Sequence, residues 1–185
     1  MWAETVGFSL GRLDPKTGSM VRYPMDSTGQ QKGRGHSPIM DSKQNVWFTV
    51  IGGDMIGRWD RQTGKSTVWK VPTAGAAPYG IALDRDDNVW FAEFRRCKIG
   101  KFDPRTEQFT EYAALTQPCT IRRLGIDSTG MVWYGGFNNG KVGGSIPRPG
   151  RSSSTTSRWP TPSPTTCGPT ARTTSGSATA ARAAP

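Results

Sequence analysis

The sequence predicts an all-β fold, an incomplete β-propeller, on three observations. A tryptophan in the same context returns every 43 residues, at Trp47, Trp90 and Trp133. A glycine–aspartate block follows it, with Asp60 and Asp103 each 13 residues beyond their tryptophan. The composition, 23 Gly and seven Trp in 185 residues, favours short strands and tight turns over long helices.

The unit resolves into four strands. Gly80-Ile81-Ala82-Leu83-Asp84 is the first, and a polar turn over Arg85-Asp86-Asp87-Asn88 leads to Val89-Trp90-Phe91-Ala92-Glu93. After a loop come Lys98-Ile99-Gly100-Lys101-Phe102, a turn over Asp103-Pro104-Arg105-Thr106, and Gln108-Phe109-Thr110-Glu111-Tyr112. Proline presets φ in that turn, and the aspartate can accept from the backbone beyond it. Four strands in about 43 residues is the spacing of a propeller blade. Consecutive blades are expected over 36–70 and 79–113, with partial blades on either side. The earlier block Gly11-Arg12-Leu13-Asp14-Pro15-Lys16-Thr17-Gly18 belongs to the first of these. The chain enters mid-blade at Met1-Trp2-Ala3-Glu4 and holds about three and a half blades. The repeated tryptophans are expected to fill the space between neighbouring blades.

The propeller is expected to occupy 1–144, and 145–185 to be a low-complexity tail without regular structure. At position 146 the period calls for an aspartate, but the chain reads Gly144-Ser145-Ile146-Pro147-Arg148-Pro149-Gly150. Beyond it the composition turns to Ser, Thr, Pro, Ala and Arg, too poor in large apolar side chains to offset the cost of ordering. Codons for this stretch, read one base out of register, can spell Φ-Asp-Pro-Ala-Thr-Gly where the period wants it. The sequence thus points to a frameshift near Gly144 and to an inactive fragment. The last blade would lose its outer strands, leaving open blade edges for self-association.

The net charge of +10 divides unevenly, with five arginines and no acid after Ser145. The remaining +5 is interspersed in sign, so no nucleic-acid partner is expected. No run approaches the roughly 20 apolar residues of a membrane span, so no membrane partner is expected either. No signal peptide is read at the start, and the compartment stays open. Cys97, Cys119 and Cys167 form no CxxC pair and are read as free thiols.

The pattern from Pro78-Tyr79-Gly80-Ile81 through Asp84, Val89-Trp90-Phe91-Ala92-Glu93 and Ile99-Gly100-Lys101-Phe102-Asp103-Pro104 to Tyr112 resembles the streptogramin lyase (virginiamycin B lyase) family. The resemblance covers 1–144 and implies a seven-bladed parent. It also implies an Mg²⁺-dependent elimination that linearises cyclic streptogramin B antibiotics. It places a histidine at the first-strand entry of one blade. The next blade supplies a second histidine there, and a glutamate about 14 residues later. Here the entry position holds His36, Tyr79 and Arg122, each 43 apart, and the later position holds Val50, Glu93 and Gly136. By that resemblance His36, Tyr79 and Glu93 are the candidate catalytic residues and Arg122 lines the channel. Tyrosine stands where the second histidine is implied, and the metal ligands stay unassigned. Their plain readings are a solvated channel histidine for His36 and a rim carboxylate for Glu93, with Glu4 at the matching place in the first blade. Arg95, Arg96, Arg122 and Arg123 would make one rim basic, an anion-binding feature. The cofactor would be Mg²⁺ under the lyase reading, and the partner a small cyclic peptide or other channel ligand. The alternative is a non-catalytic propeller that binds a ligand or protein.

Overall fold

The computed structural model describes residues 1–5, 8–31, 33–114, 117–148 and 151–157; for 4–5, 145–148 and 151–157 it describes the backbone only. These residues form four antiparallel sheets in which each strand pairs with its neighbours in sequence. The first blade is β1 (Trp2–Thr5), β2 (Ser9–Leu13) and β3 (Met20–Pro24). The second is β4 (Gly35–Met40), β5 (Val46–Val50), β6 (Met55–Trp59) and β7 (Ser66–Lys70). The third is β8 (Pro78–Leu83), β9 (Val89–Glu93), β10 (Lys98–Asp103) and β11 (Gln108–Ala113). The fourth is β12 (Ile121–Ile126), β13 (Val132–Gly136), β14 (Lys141–Arg148) and β15 (Arg151–Ser157). The innermost strands β4, β8 and β12 lie against one another.

Each four-stranded blade is pinned by the aspartate that ends its first strand. Asp84 Oδ1 accepts from the backbone N–H of Asp86 and Asn88, while Oδ2 accepts from Trp90 Nε1 at 3.0 Å. Asp41 does the same for Lys43, Asn45 and Trp47, and Asp127 for Thr129, Met131 and Trp133. The turn so formed has one left-handed residue, Gln44, Asp87 or Gly130, at φ of 65°, 60° and 85°.

The repeated glycine of the third strand has an equally direct cause. An aromatic ring from the second strand lies over it: Phe48 over Gly57, Phe91 over Gly100, Tyr134 over Gly143. A Cβ at any of the three would collide with that ring. The tryptophan one residue earlier faces the next blade. Trp47 packs with Ile56, Phe91 and Phe102, and Trp90 with Ile121, Val132 and Tyr134. Burying about 200 Å² of such a side chain, at about 25 cal/mol per Å², is worth on the order of 5 kcal/mol. Trp133 occupies the same register but is only half-buried, because no described blade lies beyond it.

Three expectations need correcting. First, regular structure does not stop at 144. β14 continues past the expected turn at 146, and β15 pairs with it from Val142↔Ser157 to Arg148↔Arg151. Without an aspartate to turn on, the strand runs on, and β15, mostly serine with Thr155 and Thr156, joins it by backbone pairing. Residues 158–185 lie outside the described part. Second, Cys97 and Cys119 are not free thiols but a disulfide, with Cα atoms 5.1 Å apart. The bond joins the β9–β10 turn of the third blade to the connection entering the fourth, an adjacency made by blade packing and not by spacing in sequence. Cys167 lies outside the described residues. Third, Glu4 does not match Glu93. It pairs with Leu10 as Ala92 pairs with Ile99, and Thr5 takes the position of Glu93. The first β1–β2 connection is one residue shorter than its counterpart at 51–54, which shifts the count.

The disulfide closes a loop spanning a sequence separation of 22. Replacing both cysteines, Cys97→Ser with Cys119→Ser, is expected to lower the unfolding free energy by roughly 3 kcal/mol. Chemical denaturation of both forms checks this, and an unchanged midpoint would remove the bond from the stability of the third–fourth blade junction.

Candidate functional site

The first strand of each four-stranded blade carries a bulge at the same place. Pairing slips between His36 and Pro38 in β4, between Pro78 and Ile81 in β8, and between Ile121 and Leu124 in β12. A bulge re-aims side chains that a regular pleat would send to opposite faces. Here it gathers residues of three blades at one end of the propeller axis. The inner strands approach so closely that a Cβ on Gly80 would meet the carbonyl oxygen of Arg122 at 2.5 Å.

The gathered residues are those that share the 43-residue register. The His36 and Tyr79 rings lie 3.9 Å apart between centroids. Arg122 Cζ is 5.7 Å from the Tyr79 centroid and 3.7 Å from that of Phe137. Arg123 also approaches Tyr79, at 5.7 Å, and donates from Nη1 to Ser37 Oγ at 2.9 Å. Ser37 Oγ in turn lies 2.8 Å from His36 Nδ1. Thr49 Oγ1 donates to the Tyr79 carbonyl at 2.8 Å and fixes the strand beneath the ring.

Glu93 starts from the same end, since it pairs with Pro78 beside Tyr79. Its side chain is fully buried, and among the described residues neither carboxyl oxygen meets a hydrogen-bond donor, with the Glu111 carboxylate as its polar neighbour. Burial, and after it the charge of Glu111, pushes its pKa up to about 8, against the pull of Lys98. Glu111 is the ionised member of this group. Burial pushes its pKa up, but Thr73 and Lys98 outweigh that and hold it below the ordinary value. It accepts from Thr73 N–H at 3.0 Å and Oγ1 at 2.6 Å, and from Lys98 Nζ at 3.0 Å. The structure therefore brings His36, Tyr79 and Arg122 into contact, and sets Glu93 in a separate acidic group between blades.

The sequence reading missed Ser37, Phe94 and Phe137. The period contained the signal: Phe94 and Phe137 are 43 apart, as are Ser37, Gly80 and Arg123. The basic rim is narrower than the sequence implied, because Arg96 is tied through Nε to the Ala74 carbonyl at 2.9 Å. Among the described residues no group of three or more His, Cys, Asp and Glu could hold a metal. The clefts of about 470 and 340 Å³ lie at the opposite, turn-bearing end, between the first and second and the third and fourth blades.

A family model described as the virginiamycin B lyase family matches residues 1–169. The chain belongs to that family. The match runs past residue 144, as the strands do. A streptogramin B lyase structure superposes on this family member with a TM-score of 0.75 at 20% identity, covering 87% of this chain and 51% of the other. A catalytically inactive virginiamycin B lyase from Staphylococcus aureus with quinupristin gives 0.71 at 17% identity, covering 88% and 60%. The structure of U3-55K gives 0.65 at 11%, covering 84% and 47%, a likeness of fold alone. The chain spans about half the length of the streptogramin B lyase structure. No curated sequence is significantly similar to it.

The Glu93 carboxyl gives a signed pH dependence. Unfolded, it releases its proton near the ordinary value of 4.5; folded, it keeps the proton up to about 8. Between these the folded state binds more protons, so stability falls as pH rises through this window. Glu93→Gln is expected to flatten that slope and to raise stability at pH 7 by on the order of 3 kcal/mol. Denaturation midpoints of both proteins from pH 4 to 9 check this; parallel curves would contradict it.

Proposed function

We propose that the protein is a ligand-binding propeller of the virginiamycin B lyase family, and that these blades do not by themselves make an Mg²⁺-dependent elimination site. The observation that carries this reading is Tyr79 at the second-histidine position, held between the His36 ring and the Arg122 and Arg123 guanidiniums. Proton abstraction needs a group with a free lone pair near neutral pH. A phenol offers an O–H donor rather than the imidazole lone pair of a second histidine. Glu93, another candidate base, is protonated at neutral pH and sealed from solvent, so His36 is left as the one candidate base of the three, without the second histidine that the family resemblance implies.

The donor set also disfavours the metal. Mg²⁺ takes an octahedral shell of hard oxygens, mostly carboxylate, phosphate and water. The mouth offers an imidazole, a phenol, a serine hydroxyl and two cations, and the buried acids nearby are neutral or occupied by Lys98. These residues do not fit Mg²⁺. They fit a ligand that meets rings and positive charge at the channel mouth. Self-association belongs to the same reading, because half-buried Trp133 presents the face that a further blade or a second copy would cover.

The purified chain, incubated with quinupristin and Mg²⁺, is expected to give no linear product above the protein-free rate by mass spectrometry. Turnover that requires Mg²⁺ and disappears in His36→Ala would overturn the binding reading in favour of a lyase.

A further inference from the structure

We propose that the channel mouth is an oxyanion site, in which Arg122 and Arg123 hold a carboxylate or phosphate group of a ligand beside the His36–Tyr79 ring pair. The proposal rests on the binding reading above and gives it a ligand chemistry.

Arg122 is half-buried among rings, 3.7 Å from the Phe137 centroid and 5.7 Å from those of Phe94 and Tyr79. The rings fix the guanidinium plane but leave its five N–H donors to be satisfied elsewhere. Its Nε is buried with no acceptor. The ion pairs among the described residues are Arg58–Asp60, Lys70–Asp54, Lys98–Glu111 and Arg105–Asp103, so neither Arg122 nor Arg123 has a carboxylate partner there. Other arginines of the fold do find acceptors: Arg85 donates to the Ser128 carbonyl at 2.7 Å and Arg96 to that of Ala74 at 2.9 Å.

The placement of the second cation points the same way. Successive residues of a regular strand face opposite sides of the sheet. The bulge between Ile121 and Leu124 instead brings both Arg122 and Arg123 to the Tyr79 ring. Two like charges near one ring repel, and an anion between them turns that repulsion into attraction. The nearest acids cannot serve, since Glu93 is neutral at neutral pH and Glu111 is bound to Lys98 and Thr73. A planar guanidinium presents paired donors that match the two oxygens of a carboxylate or phosphate, and the partner need only supply that group.

The test titrates the purified chain with inorganic phosphate and, separately, with acetate, each against chloride at matched ionic strength, by calorimetry and thermal melting. At least one oxyanion is expected to bind and raise the melting temperature where chloride does not. Arg122→Gln and Arg123→Gln are each expected to weaken that binding about tenfold or more, the loss of a charge-assisted contact. Arg122→Lys should weaken it less, and Lys16→Gln, in an exposed turn of the first blade, should leave it unchanged. Arg123 is exposed, so its variant tests the site even if Arg122→Gln unfolds. Binding of phosphate alone identifies a phosphorylated ligand, and binding of acetate alone a carboxylate. A titration indistinguishable from chloride, or affinity indifferent to both glutamine variants, overturns the site. Either outcome leaves the linearisation assay to test the binding reading independently.

Discussion

The three four-stranded blades hang from the bond between an aspartate and the indole of a tryptophan six residues later. Asp41–Trp47, Asp84–Trp90 and Asp127–Trp133 are the same contact made three times, at 3.0, 3.0 and 2.7 Å. It does two jobs at once. The carboxylate closes the turn between the first and second strands, and it gives a buried indole N–H the acceptor it needs to face the next blade without a desolvation cost. The charge is retained. Burial pushes the Asp84 carboxyl up, but Trp90 and Asn88 outweigh it and hold its pKa below the ordinary value. At Asp127 the Thr129 hydroxyl and the Trp133 indole hold it far lower.

From that anchor the candidate site follows geometrically. Fixing the far end of each first strand fixes the register of its near end, where a bulge recurs in every four-stranded blade. Residues at one register position are thereby carried to one mouth, whatever their chemistry. The scaffold is the shared element; the chemistry is chosen residue by residue at the entry positions. In these blades the choices are His36, Tyr79 and Arg122 with Arg123, a set suited to rings and anions. The Ser42–Asp87 hydrogen bonds tie the second blade to the third at the turn-bearing end, and the disulfide ties the third blade to the fourth at the other.

Much of this was legible in the sequence because a repeat turns spacing into geometry. A 43-residue period gave Trp47, Trp90 and Trp133 one register and His36, Tyr79 and Arg122 another. The structure repeats the aspartate–indole bond at all three tryptophans, buries Trp47 and Trp90 but only half-buries Trp133, and brings His36, Tyr79 and Arg122 together. What escaped was whatever the period does not encode. The Cys97–Cys119 bond depends on two connections that meet only once blades pack. The protonation of Glu93 depends on burial and on Glu111, 18 residues away in sequence. The strands beyond 144 are held by backbone pairing, which composition alone underestimates. The misplacement of Glu4 came from a connection one residue shorter than its counterparts.

The central claim, that the aspartate–indole bond organises each blade, is tested most directly by a double-mutant cycle on Asp84→Ala and Trp90→Phe with unfolding free energies from denaturation. A hydrogen bond to a charged, partly buried group predicts a coupling of about 1.5–3 kcal/mol between the two sites. Additive losses, within about 0.5 kcal/mol, would mean that the turn and the interblade indole act independently and would contradict the account.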